Sequence, residues 1–252
     1  MSVTVDLADG IGTITLSHPP LNILTRQLLE ELRGRLEELT AAPDLRVLLL
    51  AAEGRHFSAG ADVGEHLPPD FEQMIPEFLD TIRALASFPL PVIAAVRGRC
   101  MGGGFELVQA ADIVIAGESA LFGQPEIVLG VCAPAACVLL PSRASHAVAA
   151  EILFTGDPLT ADQAAEAGIV RRVVPDAVIE EEAMRLALRI ARHSAAALRA
   201  TVKTLRLRTE AWLSEALRGA AAIYVEELMR SEDPEEGLRA FLEKRTPTWN
   251  HR

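Results

Sequence analysis

Two glutamates stand out by the residues around them. Glu106 closes the run Gly102-Gly103-Gly104-Phe105-Glu106, and Glu126 closes Phe122-Gly123-Gln124-Pro125-Glu126; both runs sit among apolar segments. An apolar setting disfavours an ionised carboxylate, and a second carboxylate close by disfavours it further. One member of such a pair can hold a proton near neutral pH while the other stays a base. This is equipment for general acid/base chemistry, and it suits the addition of water to a carbon–carbon double bond.

Two loops have the composition to serve the same site. His56-Phe57-Ser58-Ala59-Gly60-Ala61-Asp62 follows an apolar run ending near Ala52, and its small residues leave backbone N–H groups open to a ligand. Met101-Gly102-Gly103-Gly104 follows a second apolar run ending near Val96 and opens the helix that carries Glu106. A glycine-rich helix start exposes N–H donors at the positive end of the helix dipole. Two such N–H groups converging on one oxygen would form an oxyanion hole. The glycines match neither GxGxxG nor GxxxxGK[ST]. His56, Asp62 and His66 do not have the spacing of a common metal-ligand motif, so no metal site is expected. Ser58 beside His56 and Asp62 is no triad on sequence proximity alone, because triads are defined by geometry.

The elements that must position these residues read as α/β. Val3–Leu7 and Gly12–Leu16 flank Asp9-Gly10, a dipeptide that accepts the positive φ angles of a tight hairpin. Thr25 can cap a helix with Leu28, Leu29, Leu32, Leu36 and Leu39 along one face. Arg46–Ala52, Val92–Val96 and Ile113–Ala116 are nearly continuous apolar runs, as expected of strands covered on both faces, each followed by a turn at Gly54, Gly98 or Gly117. Strand signals stop near Pro175. Helices are expected over Val178–His193, Ala195–Arg208, Ser214–Ser231 and Pro234–Glu243, the charges of Glu180–Arg192 forming a solvated face. The chain divides into a core, 1–190, and a helical region, 191–252. The apolar stripe Ala216, Leu217, Ala220, Ala221, Ile223 and Tyr224 needs cover, and self-association would supply it.

A chain of 252 residues, half of them hydrophobic, can bury a substantial core. Its net charge of −11 argues against nucleic acid or an anionic membrane as partner. Cys100, Cys132 and Cys137 contain no CxxC pair and fit reduced thiols in a cytoplasmic protein. No signal peptide and no membrane-length apolar run is expected.

The combination of Phe57-Ser58-Ala59-Gly60-Ala61-Asp62, Ala95-Val96-Arg97-Gly98, Gly102–Glu106 and Phe122–Ile127 resembles the crotonase superfamily, the enoyl-CoA hydratases and isomerases. The resemblance runs from the first hairpin to Ala240–Pro247 and implies a spiral of ββα units followed by a helical trimerisation region. It implies an acyl-CoA thioester substrate, a trimer or dimer of trimers, and no cofactor beyond the CoA that belongs to the substrate. By the resemblance, the N–H groups of Ala61 and Gly103 polarise the thioester carbonyl, Glu106 activates water and Glu126 protonates the α-carbon. Ala59, Gly60, Asp62, Gly102, Phe241 and Lys244 are the implied substrate and CoA contacts, with Lys244 meeting a CoA phosphate.

One stretch departs from common short-chain hydratases, which are Gly-rich after the second glutamate. Here Ala133-Pro134-Ala135-Ala136 stiffens a helix start and, with Pro125, is expected to shape the acyl pocket. This stretch, with Pro19-Pro20-Leu21-Asn22 and His66-Leu67-Pro68, is similar to hydratases of cyclohexa-1,5-diene-1-carbonyl-CoA in anaerobic aromatic degradation. Cys132-Ala133 and Phe105 depart from the patterns expected at those positions. The expected activity is enoyl-CoA hydration; the alternatives are hydration of the cyclic diene, double-bond isomerisation, or acyl-CoA binding without turnover.

Overall fold

The computed structural model describes residues 2–207 and 209–252. In chain order the elements are β1 (Ser2–Ala8), β2 (Ile11–Ser17), α1 (Arg26–Thr40), β3 (Val47–Ala52), α2 (Phe71–Ala86), β4 (Val92–Val96), β5 (Arg99–Met101) and α3 (Gly103–Ala110). They continue as β6 (Ile113–Gly117), β7 (Leu121–Gly123), α4 (Pro134–Leu139), α5 (His146–Thr155), β8 (Leu159–Thr160), α6 (Ala161–Glu166) and β9 (Arg172–Val174). The tail carries α7 (Ile179–Ala191), α8 (Ala195–Arg206), α9 (Glu210–Ala222) and α10 (Asp233–Leu242). Arg208, the last residue of the expected second tail helix, lies outside the described residues.

The main sheet has the order β1-β2-β3-β4-β6-β9. Only β1 and β2 pair antiparallel, joined through Asp9 and Gly10 at φ 54° and 79°, the two positive angles a tight hairpin requires. The remaining pairs are parallel. Alternate residues serve opposite faces: Leu48 and Leu50 meet the main core with α1 and α2, whereas Val47 and Leu49 meet a second core. Against that second face α7 lays Ile179, Ala183, Ala187 and Ala191, spaced four apart, while exposed Arg185 pairs with both Glu181 and Glu182. A smaller sheet, β5-β7-β8, stands beside the main one and carries the site loops.

The α1 expectation holds in detail: Thr25 accepts from the Leu28 N–H, and all five leucines are buried. Two expectations change. Gly117 is the last residue of β6 rather than a turn; a Cβ there would lie 2.1 Å from Asp176 Oδ1, so the glycine admits a close approach. The expected helix over Ser214–Ser231 is interrupted, because α9 gives way to a π-helical turn at Ile223–Glu227 and a 3-10 turn at Leu228–Arg230. The stripe read as one apolar face is thereby split. Leu217 and Tyr224 are buried within the chain, and Ile223 faces out.

Candidate active site

Both glycine-bearing loops are pinned by hydrogen bonds to their neighbours. Phe57 and Ser58 donate to the carbonyls of Arg97 and Arg99, and Met101 donates back to Ser58, which stitches the first loop to β5. On the other side, Leu24 N–H donates to Gly60 O at 2.9 Å and Asp62 N–H to Leu24 O at 3.1 Å. Asn22, fully buried, holds the loop's base by donating to the carbonyls of Glu53 and His56, both at 2.8 Å. Ser58 Oγ donates to Asn22 O and accepts from Gly60 N–H, so its hydroxyl is committed to the loop and is no nucleophile. His56 Nδ1 accepts from Arg99 N–H, and no metal-binding cluster occurs among the described residues.

The N–H groups of Ala61 and Gly103 take no part in this bonding. The Leu24–Ala61 bridge uses the N–H of Asp62 and the carbonyl of Gly60, so the Ala61 N–H points elsewhere. Gly103 is the first residue of α3, where an N–H has no partner within its own helix. A Cβ built on Gly103 would lie 3.4 Å from the Ala61 nitrogen, so the two loops meet. Both residues line one cavity of about 300 Å³ together with Glu106 and Glu126.

Glu106 projects from the first turn of α3 and is 3 % exposed. Phe105 and Phe122, with ring centroids 5.4 Å apart, pack in the buried core beside it. Burial pushes its titration up to about 7, and backbone N–H donors partly oppose the rise, Ala136 N–H meeting Oε1 at 2.9 Å. Those donors belong to the first turn of α4, which begins at Pro134, so the stiffened Ala-Pro-Ala-Ala stretch holds a carboxylate as well as shaping a wall.

Glu126 lies in the 3-10 turn Pro125–Leu129, with its carboxyl against Gly102. Burial and, after it, the charge of Glu106 push its titration well above the carboxylate range. Gln124 and Gln109 are both buried. With the Gln124 amide oriented to satisfy both ends, its nitrogen donates to Glu126 at 3.1 and 3.3 Å and its oxygen accepts from Gln109 at 2.8 Å. The surroundings are unequal: Glu106 is the better supplied with backbone donors, which favours its ionised form relative to that of Glu126.

Of the residues expected from sequence, Ala59, Gly60, Ala61, Gly102, Gly103, Glu106, Pro125, Glu126, Pro134 and Phe241 line the cavity. Three do not. Asp62 turns its carboxylate onto the Gly64 N–H at 2.7 Å, Ala133 is buried at 3 % exposure, and Lys244 is exposed just beyond α10. The sequence reading missed the apolar wall from α2 (Met74, Ile75 and Phe78), Cys132, and Arg99 at an exposed position. Phe71, Met74, Ile75 and Phe78 recur at helical spacing and could have announced the wall. The cysteines are free, and burial, followed by the charges of Cys137, Glu106 and Glu126, pushes the Cys132 thiol up to about 12.

The family profile described as Enoyl-CoA hydratase/isomerase matches residues 6–252. The chain is 40% identical over 257 residues to a cyclohexa-1,5-dienecarbonyl-CoA hydratase of Thauera aromatica, covering 100% of this chain and 97% of the relative. It is 36% identical to a 2,3-dehydroadipyl-CoA hydratase of Escherichia coli K12, covering 95% and 94%. A crystal structure of an enoyl-CoA hydratase/isomerase from Pseudoalteromonas atlantica T6c superposes with a TM-score of 0.91 at 29% identity, covering 99% of this chain and 100% of the other. A fold shared from end to end and a profile match over nearly every residue place this chain in the enoyl-CoA hydratase/isomerase family.

Proposed function

We propose that the chain hydrates enoyl-CoA thioesters. The observation that carries this reading is the pair of glutamates with unequal surroundings in one apolar cavity, lined also by Ala61 and Gly103, whose backbone N–H groups take no part in the loop bonding. The thioester oxygen accepts from Ala61 and Gly103, which stabilises the negative charge that forms there when a nucleophile attacks the β-carbon. Glu106 takes a proton from the attacking water, and Glu126 delivers its proton to the α-carbon as the enolate collapses. These proton transfers need neither a metal nor a redox cofactor. Arg99 at the cavity and Lys244 beyond α10 are cations available to the phosphates of CoA. Half-exposed Trp212 and Phe241 with well-exposed Leu205, all in the region 191–252, support self-association of that region.

The direct test follows purified protein with crotonyl-CoA in heavy-oxygen water. Hydration puts solvent oxygen into the product; an isomerase would put in none, and a non-catalytic binder would give no product. A second reading, hydration of cyclohexa-1,5-diene-1-carbonyl-CoA, is favoured by the name of the 40% identical relative. A kcat/KM preference of tenfold or more, about 1.4 kcal/mol of transition-state binding, decides between the two substrates.

The same assay has a defined pH profile. Glu106 must be ionised to act as base, so kcat/KM rises with pH through about 7. Glu126 must be protonated to act as acid, so the rate falls again at higher pH, as its raised titration requires. A profile that neither rises through about 7 nor falls above it would rule out the assignment.

A further inference from the structure

Gln109 stands three residues after Glu106 on α3, so the two side chains share one side of the helix. It is 1 % exposed, and its Oε1 has no hydrogen-bond partner among the described residues. A buried amide with one end unsatisfied is costly, and a methionine of the same length would avoid that cost. What the amide supplies is a donor to Gln124, whose oxygen accepts from Gln109 Nε2 at 2.8 Å.

The Gln124 amide is oriented from both of its ends. A carbonyl oxygen only accepts, so the Gln124 atom 3.3 Å from Gly102 O is the nitrogen. The oxygen then faces Gln109, which donates to it. Gln124 accordingly offers Glu126 an N–H and no acceptor. A protonated Glu126 cannot give its hydrogen to that amide, and the carboxylate left after proton delivery gains a donor. With the amide turned over, its oxygen would accept from the Glu126 hydroxyl and hold the proton away from the substrate.

We propose that Gln109 is a positioning residue for the general acid: by occupying the Gln124 oxygen, it keeps the Glu126 proton free for the α-carbon. Helix α3 thereby serves both carboxyl groups, carrying Glu106 itself and orienting the surroundings of Glu126 through one intervening amide. The proposal rests on the hydratase reading of the glutamate pair.

The test measures kcat/KM against pH for hydration of crotonyl-CoA by wild type, Gln109→Met, Gln124→Met and the double variant. Gln109→Met should lose about tenfold, the worth of one hydrogen bond. Its profile should fall at higher pH than that of wild type, because the turned amide stabilises protonated Glu126 and withdraws a donor from the ionised form. The other titratable groups around Glu126, namely Glu106, His66, Arg99, Cys132, Cys137 and Tyr224, are the same in every variant. In the Gln124→Met background, adding Gln109→Met should change the rate by less than about twofold, since the route to Glu126 is already cut. Gln109→Leu serves in the same comparisons if Gln109→Met does not fold. Gln109→Glu keeps the shape, and burial holds its carboxyl protonated, so its O–H replaces the Nε2 donor; at about pH 6 it should stay within about threefold of wild type. A loss under about threefold in Gln109→Met, an equal loss in both backgrounds, an unmoved falling limb, or an equal loss in Gln109→Glu overturns the proposal while leaving hydration intact. Wild-type protein that adds no solvent oxygen to crotonyl-CoA sinks the hydratase reading and this role with it.

Discussion

Glu106→Gln should lower kcat for hydration by about a thousandfold, within the range that a positioned general base contributes. Glutamine has nearly the same shape and can still accept from the Ala136 N–H, so the cavity is preserved while the base is lost. Stability separates lost chemistry from lost fold. The titration of Glu106 is raised on folding, so its contribution to stability is fully present below the ordinary carboxylate range and is lost as pH rises through about 7. A glutamine does not ionise. Denaturant unfolding at pH 8 should therefore find Glu106→Gln more stable than wild type, and the advantage should shrink toward pH 5. A variant that keeps more than about a tenth of wild-type kcat would mean that another group activates the water.

Gly102→Ala should cost about a hundredfold in kcat/KM, although residue 102 contributes no side chain to the chemistry. The residue sits at φ 52°, ψ −129°, a conformation that L side chains rarely adopt. A Cβ there would lie 2.7 Å from Glu126 Oε1, closer than carbon and oxygen tolerate, so the carboxyl must move off the position in which it faces the substrate. Backbone strain adds a stability loss of about 1–3 kcal/mol. Steady-state kinetics with denaturant melts measure both effects. Wild-type kinetics with an unchanged melt would show that the loop relaxes freely and that Glu126 does not depend on it.

The features legible in the sequence are those governed by local rules. The Asp9-Gly10 hairpin, the Thr25-capped leucine helix, the three apolar strands and the tail helices α7, α8 and α10 all carry their signal within a dozen residues. The glutamates and their glycine loops were legible because close backbone approach demands glycine and proton chemistry demands carboxylates. Other features depend on distant parts of the chain. Strands β5, β7 and β8 are two or three residues long, too short for any periodicity to show. The α2 wall is helical by pattern, but nothing local ties Phe78 to Gly103, which a Cβ on the glycine would meet at 3.2 Å. Cys132 lines the cavity while Ala133, expected there, is buried in the core, because the two side chains leave the extended backbone before Pro134 on different sides. The inward aim of Tyr224 is set by a π-helical turn that heptad-like spacing does not reveal.

The electrostatics of the cavity also bear on the sulfur that lines it. A β-carbon polarised for attack by water is equally open to sulfur, and Cys132 lines the same space. The thiolate, not the thiol, is the attacking species. With the Cys132 titration pushed up to about 12, the thiol form prevails at neutral pH. Burial does most of this, and Cys137 and the two glutamates add to it. Surroundings that raise the titrations of the two carboxylates thus also keep the neighbouring sulfur in its weakly nucleophilic thiol form.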